Sequence, residues 1–274
     1  MRKVAIQGVR GAFHELAANK YFDNDIEIVE CDTFSDLCKA LKNNDADCAI
    51  MAIENTLAGA ILPNYSLLEE HNFIIHGEIY MRIEMNLMTL PGQKIEDLEE
   101  VQSQPMAILQ CKPYFDKYPN IKLREIEDTA IGAKKLNENV YKNIGIIASE
   151  TAAELYNLDI IAKGIETDKK NFTRFLILSN NKDIIDSPNK ASIVFSLQHQ
   201  VGSLVDVLTI LKCHEINMTK IQSSPIIGQP YEYNFHIDLS WENYYYFKHA
   251  MDIVERNVAQ LRILGEYKAG AKDY

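Results

Sequence analysis

The sequence predicts an α/β protein in two parts: a two-lobed strand–helix alternation over residues 1–180, and a smaller ferredoxin-like βαββαβ module over residues 190–274. Three observations carry this. Short apolar runs such as Val4–Gln7 and Cys48–Ile53 alternate with helix-like stretches through the first 178 residues. Residues 179–190 then turn small and polar around Pro188, as a linker does. After that break the pattern reads strand, helix, strand, strand, helix, strand.

Taken in order, Val4–Gln7 is a strand, Gly8-Val9-Arg10-Gly11 a turn, and Phe13–Tyr21 a helix. A glycine turn running into a helix presents backbone N–H groups, a seat for a carboxylate. Ile26–Val29 is a strand, Thr33–Asp36 leads into a helix through Leu41, and Cys48–Ile53 is a buried strand ending in the polar Glu54-Asn55-Thr56. Open α/β sheets place ligands at such carboxyl ends. Residues 63–70 read as a helix, 73–80 and 82–90 as strands, and 95–100 as a short helix. Ser103 is placed to cap a helix over 105–114 with Pro105 in its first turn. A strand at 123–126, a helix at 129–136, a strand at 144–148 and a helix at 149–156 continue the alternation, which implies mostly parallel sheets, and 160–162 leads on to the tract at 166–178. The strand Phe175–Leu178 is assigned back to the first lobe, giving lobes of roughly 1–78 with 170–180, and 79–169.

Composition narrows the function. With 47% hydrophobic and 24% charged residues the chain is an ordinary globular protein. Its net charge of −11 speaks against nucleic acid as a partner. Residues 190–274 hold 8 Lys/Arg against 9 Asp/Glu, so nearly all the excess acid lies before residue 190. An anion bound there needs local cations, which singles out Arg174. Five scattered cysteines lack the paired spacing of a zinc site and read as reduced thiols. The chain starts without a signal peptide and contains no run of membrane-spanning length, so a cytoplasmic location is expected.

The tract around which the chain is arranged is Asn171-Phe172-Thr173-Arg174-Phe175, an amide, a hydroxyl and a guanidinium just before a buried strand. It resembles the Thr-Arg-Phe signature of prephenate dehydratases. Other segments extend the likeness: Gly8–Phe13 is similar to the family's Gly-Pro-x-Gly-Thr-Phe, Ile53-Glu54-Asn55 to its Pro-Ile-Glu-Asn, and Ser103-Gln104-Pro105 with Gln110-Cys111 to its Ser-His-Pro and Gln-Cys. Residues 190–274 resemble an ACT regulatory domain. Gly202-Ser203-Leu204 stands at its Gly-Ala-Leu, and Gln222-Ser223-Ser224-Pro225 at its Glu-Ser-Arg-Pro. The family pattern departs at Val9, Ala12, Ala52, Gln104, Gln222 and Ser224.

The resemblance implies a two-lobed catalytic domain like type II periplasmic binding proteins, followed by the ACT module, with no fused chorismate mutase. It implies a lyase turning prephenate into phenylpyruvate without metal, flavin or nicotinamide. The substrate is a dianion, so the site needs donors for two carboxylates and for a departing hydroxyl. Thr173 is assigned to that hydroxyl, Asn55 and Gln110 to neutral donation, and Ser103, Arg174, Phe175 and Gly11 to binding. Glu54 is either a general acid or a carboxylate paired with Arg174. Phenylalanine is the implied effector, at Gly202, Ser203, Leu204 and Gln222 to Pro225. Its control is expected to be weakened by Gln222 and Ser224, and a homodimer or homotetramer is expected.

Ordinary roles compete at each position: Asn55 as a turn former, Ser103 as a plain cap, Gln110 as a surface amide, Arg174 in a surface ion pair. Two rival functions stand beside the main one. The first is an arogenate or dual-substrate cyclohexadienyl dehydratase. The second is a non-enzymatic amino-acid-sensing binding protein.

Overall fold

The computed structural model describes residues 1–139, 141–181, 185–198, 200–226 and 228–271. The chain begins β1 (Arg2–Gln7), α1 (Phe13–Tyr21), β2 (Ile26–Cys31), α2 (Phe34–Lys42) and β3 (Cys48–Asn55). Next come β4 (Gly59–Ala60), α3 (Leu62–His71) and β5 (Ile74–Arg82). They are followed by β6 (Asn86–Thr89), β7 (Glu100–Ser103), α4 (Pro105–Phe115), β8 (Lys122–Glu125) and α5 (Thr129–Asn139). Then β9 (Ile144–Ala148), α6 (Glu150–Leu155), β10 (Asp159–Ala162) and β11 (Phe172–Ser179) complete the first two sheets. The remainder is β12 (Lys190–Ser196), α7 (Ser203–Cys213), β13 (Asn217–Pro225), β14 (Tyr233–Ser240), α8 (Tyr244–Asn257) and β15 (Gln260–Tyr267).

The chain divides into two compact units, Met1–Gly59 with Tyr80–Phe175, and Ala60–Ile79 with the chain from Leu176 on. This differs from the expected boundary near 180–190, because α3 and the first half of β5 group with the C-terminal residues. The expected linker at 179–190 is framed by the ends of β11 and β12, and residues 182–184 within it lie outside the described residues.

Strand β1 runs parallel to β2 and β3 in a sheet ordered β2-β1-β3-β11-β5, with β4 beside β3. Thr33 starts α2 as expected, its hydroxyl accepting from Asp36 N at 3.1 Å. The second sheet is ordered β10-β6-β9-β7-β8. Its strands β7, β8 and β9 are parallel, each step crossing over through a helix, while β6 is reversed between β9 and β10. The expectation of mostly parallel sheets therefore needs correcting here. Ala107, Ile108, Cys111 and Phe115 of α4 pack with Leu87 and Val101, and Ala133, Leu136, Ala152 and Ala153 of α5 and α6 pack with Met88 and Ile146. Burying both faces explains why the strands read as apolar runs.

The sequence reading also missed β7, a four-residue strand with alternating burial, and it began the strand after 73–80 at Arg82, whereas β5 runs on to Arg82 and β6 starts only at Asn86. The break at 83–85 is set by residues distant in the sequence. Ile83 N donates to Asn171 O at 2.8 Å and Met85 N to Glu166 Oε2 at 3.0 Å, so the loop ahead of β11 takes hydrogen bonds that a strand neighbour would otherwise receive.

The second unit carries the expected βαββαβ order, with an antiparallel sheet β13-β14-β12-β15. Val207 and Leu211 of α7, and Phe247, Met251 and Val254 of α8, pack with Ile193, Phe195, Ile237 and Leu239 of the sheet. Side chains of β13, β14 and β15 also grip α3. Glu69 accepts from Asn234 Nδ2 at 2.7 Å and Ser224 Oγ at 3.2 Å, and lies 2.5 Å from His236 Nε2. Arg262 donates to the carbonyls of Leu68 and Glu69 near the helix C-terminus, at 3.0 and 3.1 Å, where a cation suits both the dipole and the unpaired carbonyls. Lys190 and Glu78 form a buried pair at 2.8 Å.

Candidate active site

Four side chains from three elements meet in the first unit. Strand β3 ends at Asn55, whose Oδ1 accepts from the backbone of Leu57 and Ala58, both at 2.9 Å, and so closes the turn. Its Nδ2 donates to Asn171 Oδ1 at 2.7 Å, Thr173 Oγ1 at 3.0 Å and Phe172 O at 3.2 Å. Asn171 Nδ2 then donates to Gln110 Oε1 on α4 at 2.8 Å. Thr56 stitches the same loops together, its N–H going to Phe172 O and its hydroxyl to Lys170 O while it accepts from Phe172 N. Main-chain Gln110 O receives both the N–H and the hydroxyl of Thr167, which anchors α4 to the loop preceding β11.

The structure thus brings Asn55, Gln110 and Thr173 into one hydrogen-bonded group. Asn55 is indeed a turn former, yet the same amide reaches the Thr hydroxyl. Asn171, assigned no role on sequence grounds, is the link between them and is 1% exposed. Bonds spanning 61 to 118 residues join the group, so local pattern could not have shown it.

Beside this group Arg174 Nη1 meets Glu54 Oε1 at 3.1 Å, with Tyr80's ring 6.0 Å from the guanidinium. Arg174 is not a surface cation: its side chain is 2% exposed against 30% for Glu54. Of the two roles left open for Glu54, the geometry matches pairing with Arg174.

Three expected contributors are placed elsewhere. Ser103 does not cap α4. It ends β7, is fully buried, and donates to Ile147 O on β9 at 2.7 Å, while Gln104 occupies the cap position without a side-chain bond. Gly11 offers no free N–H, since it donates to Glu15, and its carbonyl accepts from Ser149 Oγ at 2.6 Å. Its φ of +89° and the approach of Ala152 Cα, 3.0 Å from where a Cβ would stand, give the glycine a packing reason. The anion seat read into residues 8–11 is taken by the chain's own acids, Glu15 on Gly11 and Glu30 on Arg10 N at 2.8 Å. Burial, then Glu30 and Glu15, push the neighbouring Tyr156 phenol up to about 12, which marks this corner as one that disfavours negative charge. Phe175 is buried with its ring edge-on to His14 at 5.0 Å, a core contact.

His14 is the ring against which Phe175 packs. It lies between Phe34 and Phe175 with Nε2 buried and unbonded, and burial lowers its pKa from 6.5 to about 4. Below pH 6.5 the unfolded chain takes up a proton that the folded one refuses until about pH 4, so this residue's contribution to stability is complete above 6.5 and lost on acidification across that window. At pH 5 the cost is about 2 kcal/mol. Urea melts at pH 7 and pH 5 should show His14→Leu losing less stability between them than the parent by that amount. Equal losses would mean His14 does not couple folding to protons.

In the second unit, Gly202 precedes α7 with φ +89°, Ser203 Oγ bonds the carbonyls of Gln198 and Gln200, and Leu204 packs against the module core. Gln222 Nε2 donates to Ser223 O at 2.8 Å, and Ser224 Oγ donates to Glu69 Oε1 at 3.2 Å. Pro225 ends β13.

A mixed α/β unit thus gathers two asparagine amides, a glutamine amide, a threonine hydroxyl and a buried guanidinium where β3, β11 and α4 meet. Residues 4–183 match the family model described as prephenate dehydratase. The chain belongs to the prephenate dehydratase family, and as a dehydratase it is a lyase. It is 37% identical over 278 residues to the chloroplastic arogenate dehydratase/prephenate dehydratase 2 of Arabidopsis thaliana, covering 97% of this chain and 72% of that one. A solved structure described as GqqA, a novel type of quorum-quenching acylase, superposes with a TM-score of 0.89 at 29% identity, covering 98% of both chains. Prephenate dehydratase from Arthrobacter aurescens, solved in complex with L-Phe, shares the fold with a TM-score of 0.88 at 22% identity, covering 97% of this chain and 90% of that one. No helix among the described residues is long and apolar enough to cross a membrane.

Proposed function

We propose that the Thr173 group carries the decarboxylative dehydration of prephenate to phenylpyruvate, water and carbon dioxide. The observation that supports this most directly is the continuous chain Gln110–Asn171–Asn55–Thr173, which holds a hydroxyl and an amide in fixed directions. As the ring carboxylate leaves as carbon dioxide, its bonding pair enters the ring and expels the hydroxyl. That oxygen must gain a proton to depart as water. A Thr hydroxyl is a weak acid, so Thr173 hydrogen-bonds and relays the proton, which solvent supplies. Gln110 stabilises developing charge without adding charge, Asn55 holds the Thr173 hydroxyl in place, and Arg174, sharing Glu54, faces a carboxylate.

Following the ultraviolet absorbance of phenylpyruvate tests this, with prephenate and arogenate given side by side. The Arabidopsis relative's name favours including arogenate. Absence of phenylpyruvate from prephenate would sink the reading.

Residues 1–180 form the catalytic part in this proposal, and 190–274 an ACT module that assembles the cytoplasmic protein as a homodimer or tetramer and senses phenylalanine. Neutral Gln222 and Ser224 stand where the family pattern has Glu and Arg, and Ser224 is already engaged by Glu69. Phenylalanine should therefore bind weakly by calorimetry and inhibit little. Tight binding with strong inhibition would refute this.

A further inference from the structure

We propose that Asn171 is a positioning residue which sets the direction of the hydrogen-bonded chain, so that the Thr173 proton and the Gln110 NH2 both face the ligand. The inference rests on the prephenate reading for its kinetic test, and on bond polarity alone for its logic. An amide can present either end, and the ends look alike in shape. Here the choice is forced by backbone groups whose polarity is fixed. Asn55 Oδ1 accepts from the N–H groups of Leu57 and Ala58, and Nδ2 faces the carbonyl of Phe172. Asn55 therefore offers only donors to its remaining neighbours. Asn171 must answer with its oxygen, which turns its NH2 to Gln110. Gln110 must answer in turn with Oε1, which turns its own NH2 away.

Thr173 Oγ1 accepts from Asn55, and its hydroxyl proton is directed elsewhere. Among the described residues none accepts from Gln110 Nε2 or from the Thr173 hydroxyl. Two donors are thereby held ready by a residue that is itself 1% exposed.

Asn171→Asp keeps the shape and inverts the message. An ionised carboxylate still accepts from Asn55, but it also accepts from Gln110, whose amide must flip and present its oxygen to an anionic substrate. Loss of one such donor costs on the order of 10²–10³ in rate. At neutral pH the variant's kcat/KM should fall by about that factor. On acidification the protonated carboxyl donates to Gln110 Oε1 again, so the ratio of variant to wild-type activity should rise roughly tenfold per pH unit until the carboxyl is fully protonated. Asn171→Ala should lose activity with no such slope. A merely structural role for Asn171 predicts no pH dependence of the ratio.

Side-chain amide NMR reads the same inference without substrate: the Gln110 NH2 resonances of Asn171→Asp should titrate with the introduced carboxyl. A flat activity ratio, wild-type turnover at neutral pH, or a Gln110 amide that ignores that carboxyl would each overturn the proposal. Failure of wild-type protein to act on prephenate would instead overturn the function reading and leave the NMR result to decide this one. If Asn171→Asp does not fold, Gln110→Glu removes the same outward donor at neutral pH and restores one when protonated. Full activity of that variant at neutral pH would overturn the proposal equally.

Discussion

Thr173→Ala should lower kcat on prephenate by on the order of 10³-fold, the middle of the range for a positioned proton-transfer group. The fold should survive, because the hydroxyl accepts one bond, from Asn55, and Asn55 keeps its bonds to Asn171, Phe172, Leu57 and Ala58. The stability loss expected for one hydrogen bond is about 1 kcal/mol. Thr173→Ser, which keeps an Oγ within reach of Asn55, should retain most of the activity. Folded Thr173→Ala with turnover near the parent's would remove the hydroxyl from the mechanism and with it the central assignment.

The Arg174–Glu54 pair should respond asymmetrically. Glu54→Gln takes the carboxylate at 3.1 Å from a guanidinium that is 2% exposed, and a charge held out of water tolerates that loss poorly. Arg174→Met leaves Glu54, which at 30% side-chain exposure can turn to water, so the stability loss should be the smaller of the two. Kinetics should run the other way. Arg174→Met removes the cation assigned to a substrate carboxylate and should raise KM at least about tenfold, the equivalent of one charge-assisted bond. If Glu54 serves the pair, Glu54→Gln keeps kcat within about tenfold of the parent despite its lower urea midpoint, since the group lost is not a proton donor. If Glu54→Gln instead keeps its stability and loses kcat by 10²-fold or more, Glu54 is the acid.

Much of the architecture could be read from local pattern, because its causes are local. Helix α1 falls at Phe13–Tyr21 as expected, Thr33 caps α2, Pro105 opens α4, and the C-terminal βαββαβ order follows from the alternation of its apolar runs. What escaped has non-local causes. Strand β7 is only four residues long and polar at Gln102, and β6 is reversed by sheet pairing that no period in the sequence records. Ser103 looked like a cap because it precedes a proline-led helix, but it serves β9 instead. The site was half legible: residue types at strand ends pointed to Asn55 and Thr173 and the family resemblance added Gln110 on α4, whereas Asn171's part depends on which amide end meets which. Gly11 and the Gly8 turn misled because glycine declares a backbone conformation and not what that backbone binds.

The capture of α3 by Arg262, His236 and Asn234 bears on where this polypeptide can be cut. Residues 62–71 sit inside the span that matches the family model, yet their partners come from residues 224–262, well beyond its end at 183. A protein shortened to the matched span would carry an orphan helix: Glu69 would lose its three donors and the carbonyls of Leu68 and Glu69 their guanidinium. In this chain the end of the matched family model and the borders of the compact units do not coincide, and an expression boundary is better drawn by the second.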